Sequence, residues 1–144
     1  MNLVVTVVDA AVTRELRRAV LRPNLPVGAP LPADDLAGVV HLAAFDGTEL
    51  LSVCLIYPEQ CPWQPGRPAW RLRGMASDPV RRGTGAATAV ITEAHRIAAE
   101  AGAELIWCQA RETAQSFYER AGWRATGDLF ESVGVPHRNM SRDL

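Results

Sequence analysis

Residues 79–91, PVRRGTGAATAVI, bring two arginines and two near-adjacent glycines to the start of a run with helical spacing. The first N–H groups of a helix lack internal partners, and the aligned peptide dipoles leave that end partly positive. Glycine lets a ligand approach the backbone with no Cβ in the way. Arg81, Arg82, Gly83, Thr84, Gly85, Ala86 and Ala87 therefore have the makings of an anion cradle, most often one for phosphate. An ordinary turn with solvated arginines has the same composition, so the neighbouring residues must decide.

Three phosphate-binding devices begin as strand, glycine turn and helix. A P-loop needs GxxxxGK[ST], and this chain contains no lysine. A dinucleotide fingerprint needs GxGxxG and an acid closing the next strand. Here the third glycine is Thr88, and Glu104 opens the following strand-like run where the fingerprint wants it closed. The third device fits. Arg82 to Ala87 match [QR]-x-x-G-x-[GA], Pro79 stands three residues ahead of Arg82, and a helix, a strand and AQSFYERAGW (residues 114–123) follow in order. In these features the chain resembles the GNAT superfamily of acetyl-CoA-dependent N-acyltransferases over essentially its whole length. The tail from residue 127 onward is similar to that of small bacterial members of the ElaA type.

The resemblance implies an α+β fold, a mixed central sheet flanked by helices, with two parallel central strands that splay apart. Acetyl-CoA, the acyl-donor cosubstrate, would lie between the strands at residues 70–77 and 104–110. Backbone groups of Met75, Ala76 and Ser77 would pair with its pantetheine arm, and one of those N–H groups would polarise the thioester carbonyl. The N–H groups of Arg82, Gly83, Thr84, Gly85, Ala86 and Ala87 would hold the pyrophosphate, with Arg81 or Arg82 as countercharge. Tyr118 matches the family's general-acid tyrosine. A phenol of pKa ~10 can protonate a departing thiolate whose thiol has pKa ~8.5 only with help from geometry and a dry site. The plainer role for Tyr118, beside Phe117, is that of an amphipathic core residue.

The reaction so implied is acetyl transfer to a primary amine, of a small molecule or of a peptide or protein, by direct attack in a ternary complex. A noncatalytic CoA-binding regulatory module is the alternative, as is a same-fold enzyme with another acyl chain or acceptor. An alkyl amine of pKa ~10.4 is only about one part in several thousand neutral at pH 7, so it must lose a proton first. Glu112, Glu119, His41 and His137 have the right chemistry for a base, and the sequence selects none of them. Many members carry asparagine where this chain has Arg111. Arg111 either contacts CoA or faces the acceptor, and Arg71 and Arg73 are either solvated or ion-paired or line an acceptor pocket; if all three point inward, a carboxylate-bearing amine becomes the attractive substrate.

The elements that must position these residues are legible in the periodicities. LVVTVV at Leu3–Val8 is a β-branched strand. Asp9 then suits a helix N-cap, and Val12, Leu16, Ala19 and Val20 repeat at helical spacing. Residues 23–35 hold four prolines and form a loop. A hairpin follows around Asp46-Gly47, a dipeptide suited to a tight turn. After a second Pro/Gly-rich loop at residues 58–68, AWRLRGMAS reads as an alternating strand. Then come the helix ending at Gly102, a buried strand, the helix ending at Gly122 and two final strands: βαβββαβαββ overall.

At 144 residues and net charge −1 the chain has the size of a single domain, residues 1–144, with no basic field for nucleic acid. The first eleven residues have neither the basic region of a signal peptide nor the length of a membrane span, so a cytoplasmic protein is expected. Cys54, Cys61 and Cys108 lack metal-ligand spacing, so no metal is expected. Dimerisation, common in the family, makes a homodimer possible.

Overall fold

The computed structural model describes residues 1–81 and 83–144. Its elements run β1 (Leu3–Val8), α1 (Ala10–Leu21), β2 (Val40–Asp46), β3 (Glu49–Pro58), β4 (Ala69–Ser77), α2 (Ala86–Glu100), β5 (Leu105–Arg111), α3 (Gln115–Arg120), β6 (Arg124–Ser132) and β7 (Val135–Asp143). This is the βαβββαβαββ order expected above. A short 3-10 turn, Glu112–Ala114, leads into α3. The strands form one mixed sheet in the order β1-β2-β3-β4-β5-β7-β6. By its contacts the chain divides into two compact units, Met1–Tyr57 with Leu72–Ala94, and Pro58–Arg71 with His95–Leu144.

In the first unit, β1 pairs antiparallel with β2 from Leu3↔Asp46 to Val8↔His41, and β2 turns at Gly47 into β3. Gly47 adopts φ +61°, the left-handed conformation that a tight Asp-Gly turn requires. Successive side chains point to opposite faces, and at the centre of β2 and β3 both faces are covered, with Leu42, Ala43, Ala44, Val53, Leu55 and Ile56 all at 1% exposure or less. Leu16, Val20 and Leu21 of α1 pack on the cluster of Ala43, Val53 and Ala76. The fully buried positions of α1 are nevertheless Thr13 and Arg17, while Val12 is 43% exposed. The inner face of α1 is therefore rotated away from Val12 and carries a buried charge.

In the second unit, β4 and β5 pair in parallel over three residues, Ala69↔Leu105 to Arg71↔Trp107, and each strand continues beyond the last of these pairs. β5 pairs antiparallel with β7 along its whole length, and β7 with β6. Leu105 and Trp107 bury against Cys61, with Trp63 edge-on to Trp107 at 5.4 Å. Among the described residues no helix is long and apolar enough to cross a membrane.

Candidate functional site

The glycine turn begins with Asp78, whose side chain accepts from the Val80 N–H at 2.9 Å and whose carbonyl accepts from the Arg81 N–H at 3.2 Å. Gly83 and Gly85 both sit at left-handed φ, +76° and +83°, and both are exposed. A Cβ on either would meet nothing within 4 Å, so the turn presents bare backbone to open space. Gly85 immediately precedes α2, its carbonyl accepting from the Ala89 N–H at 3.0 Å, and no acidic side chain occupies the first turn. The Thr84 hydroxyl accepts from the Ala86 N–H at 3.2 Å, so one of the donors expected for a phosphate is capped by the chain itself. Arg81 is ion-paired with Asp46 at 3.1 Å and also with Glu49, tying the turn to the β2–β3 hairpin. Arg82 lies outside the described residues.

Met75, Ala76 and Ser77 end β4. The Asp78 N–H donates to the Leu51 carbonyl at 2.9 Å, and the Ala76 carbonyl accepts from the Ser52 hydroxyl at 3.2 Å. The backbone groups of residues 76 and 78 thus face β3. By strand alternation those of Met75 and Ser77 face the opposite edge. The Ala76 side chain is in the core. Just ahead, Gly74 interrupts the strand at φ +63°, and a Cβ there would stand 2.8 Å from Arg17 Cδ.

Arg17 is 2% exposed and belongs to a buried polar network that periodicity alone did not reveal. Its guanidinium pairs with Asp34, which also takes Arg14 Nε at 2.8 Å, and its Nε donates to the Thr13 hydroxyl at 3.1 Å. Burial pushes the Asp34 carboxyl up, but the hydrogen bonds from Arg14 and Arg17 outweigh it and hold the group below its ordinary value. His41 reaches the Asp34 carbonyl through Nε2 at 3.3 Å. Burial, with the Arg17 charge, holds its pKa below the usual histidine value, so the ring is neutral.

In the second unit, Tyr118 is 4% exposed, with Phe117 edge-on at 5.3 Å and Trp123 at 5.0 Å. Its hydroxyl hydrogen-bonds the Cys108 thiol, which burial pushes far above the ordinary value and keeps protonated. Cys108 is thus the partner of the tyrosine, an assignment the sequence did not make because the two residues come from different elements. Arg71 donates to Glu59 at 3.0 Å and to Gln109 at 3.3 Å, and its guanidinium lies 4.6 Å from the Trp107 ring centroid. It is therefore the ion-paired alternative that holds. Arg111 closes β5 opposite His137. Of the base-type residues, Glu112 and Glu119 are exposed, His41 is sealed under α1, and His137 contacts the Val135 carbonyl at 2.9 Å. Among the described residues no His/Cys/Asp/Glu group is placed to hold a metal.

The acetyltransferase (GNAT) domain family matches residues 38–144. The uncharacterized N-acetyltransferase YitI of Bacillus subtilis strain 168 is 34% identical over 125 residues, which span 85% of this chain and 83% of YitI. Escherichia coli ElaA superposes with a TM-score of 0.76 at 16% identity, over 98% of this chain and 99% of its own. An aminoglycoside 6′-N-acetyltransferase complexed with coenzyme A does so with a TM-score of 0.72 at 16% identity, over 97% and 96%. The last two are likenesses of fold.

Proposed function

Because the chain belongs to the GNAT acetyltransferase family, we propose that it transfers an acetyl group from acetyl-CoA to a primary amine by direct attack in a ternary complex. The observation that carries the reading is the turn before α2, where Gly83 and Gly85 expose backbone at left-handed φ with open space in place of side chains. Such a turn at a helix N-terminus suits a diphosphate, which needs close approach and positive potential.

Acetyl-CoA would supply an activated acetyl group and a thiol leaving group. The residues of the chain do the rest. Gly83, Thr84, Gly85 and Ala87 offer backbone around the pyrophosphate, with Ala86 helping shape the helix start while its N–H is capped by Thr84. Arg82 is the countercharge in this proposal, and Arg81 positions the turn through Asp46 and Glu49. The outward backbone edge of Met75 and Ser77 orients the pantetheine arm, with Ala76 anchoring that edge to β3. One of these N–H groups stabilises the charge that develops on the thioester oxygen. Tyr118 holds at Oη the proton that the leaving sulfur takes, in a site kept dry by Phe117 and Trp123.

Calorimetric titration with acetyl-CoA tests the reading. Micromolar affinity, worth ~8 kcal/mol, is expected for the native protein and should vanish in Gly85→Glu, which adds volume and negative charge at the cradle. A folded native protein that binds neither acetyl-CoA nor CoA would end the transferase reading.

A further inference from the structure

We propose that the first unit carries an anion pocket for the acceptor, and that the amine acylated by this protein bears a carboxylate. The inference rests on the acyltransferase reading above and deepens it. The pocket is lined by Arg17 of α1, by Arg22 just past the end of that helix and by Arg73 of β4, with Leu21 and Leu55 as apolar walls and Gly74 at one side. Three arginines line it, and no aspartate or glutamate does among the described residues.

Arg17 pairs with Asp34, but that single carboxylate also serves Arg14. The Arg22 guanidinium has the Leu21 carbonyl among its partners, at 2.9 Å. Arg73 is half-buried, and among the described residues it has neither a hydrogen-bond nor an ion-pair partner. A guanidinium stays charged at every physiological pH, and its planar fork matches a carboxylate with two parallel hydrogen bonds. Half-buried beside leucine side chains, that charge is stabilised by an incoming anion more than a fully exposed arginine would be.

Position gives the anion its role. Arg73 and Gly74 immediately precede Met75, whose backbone edge orients the acyl donor in the reading above. The left-handed Gly74 leaves room for the Arg17 side chain to lie against the strand at this point. A carboxylate held on Arg73 would thus anchor the acceptor next to the place of transfer, while Leu21 and Leu55 receive an apolar substituent. The same anion chemistry could belong to a phosphate of CoA, and the experiment separates the two sources.

The probes are free amino acids, each paired with its own amide, which differs only in the missing carboxylate. Binding to the CoA-saturated protein is measured by calorimetry and acetylation by chromatographic detection of the product. The amino acids should exceed their amides by about tenfold or more, the range of a hydrogen bond to a charged group. Arg73→Met should abolish the preference with acetyl-CoA affinity unchanged. Arg73→Lys should keep part of it, and Arg73→Glu should favour the amides. Circular dichroism confirms that each variant is folded. Equal handling of acids and amides by the native protein would overturn the inference, as would an Arg73→Met variant that loses acetyl-CoA affinity. Native protein that binds acetyl-CoA yet shows no carboxylate preference overturns this inference alone. Native protein that binds no acetyl-CoA overturns the acyltransferase reading and this inference with it.

Discussion

Tyr118 takes the plainer of the two roles considered for it in the sequence, that of a core residue, and the general-acid role belongs to the proposal. Its ring is core packing against Phe117 and Trp123, and its hydroxyl keeps a polar partner in Cys108. Tyr118→Phe removes only the hydroxyl, so kcat should fall by about 10²-fold or more with the thermal midpoint nearly unchanged. An unchanged kcat would leave the tyrosine a packing residue. Gly74 poses the opposite case, a residue whose value lies in what it lacks. Gly74→Ala would force a methyl group toward Arg17 Cδ at 2.8 Å and an L side chain into φ +63°. Urea denaturation should register a loss of about 1–3 kcal/mol. A loss below a few tenths would show that the strand relaxes freely there. Nothing in the alternation of AWRLRGMAS marks this glycine as a break, because a strand with one dry face reads straight through it.

At the scale of elements, the order of strands and helices was legible because each rests on a local signal: β-branched runs, Asp46-Gly47, and glycines at residues 102 and 122 after the helices. The glycine turn was legible for the same reason. What escaped was long-range. Arg17 sits in an arginine-rich stretch of α1 that looks solvent-facing, and its partner Asp34 lies in a proline-rich loop with no periodicity at all. The loop at residues 23–35 is held to α1 through this carboxylate, which takes both Arg14 and Arg17 and whose carbonyl meets His41. Asp34→Asn would leave two guanidinium groups facing a neutral amide, and a broken buried pair costs about 3–5 kcal/mol. Denaturant unfolding should show a loss of that order, and protease cleavage within residues 23–35 should accelerate. Native-like resistance would mean that the prolines alone hold the loop. The acceptor reading also changed at this scale: of Arg71, Arg73 and Arg111, only Arg73 lines the pocket, and its other arginines are Arg17 of α1 and Arg22 just past the end of that helix.

For the whole molecule, acid is the weak side. His95 accepts from Trp123 Nε1 at Nε2, 2.9 Å, while Arg142 Nη1 lies 2.8 Å from Nδ1. A protonated ring could accept from neither donor. Burial, with the Arg142 charge, lowers the His95 pKa to about 4 from 6.5. Between those values the unfolded chain binds a proton that the folded chain refuses, so this contribution is full above pH 6.5 and is lost as pH falls toward 4. After allowance for the partial exposure of the ring, the loss is on the order of 1–3 kcal/mol. Thermal midpoints measured across that window should fall for the native protein and fall less for His95→Gln; parallel curves would exclude His95 as the cause. The cysteines have a more practical bearing. Cys54, Cys61 and Cys108 are all free, none is more than 2% exposed, and burial raises the pKa of each, that of Cys54 to about 12. The folded protein is therefore nearly silent toward thiol-reactive dyes, which attack thiolates. A coloured thiol assay of the proposed transfer, run on the native protein, would count released CoA with little background from the chain, and in denaturant the same dye would count unfolded chains.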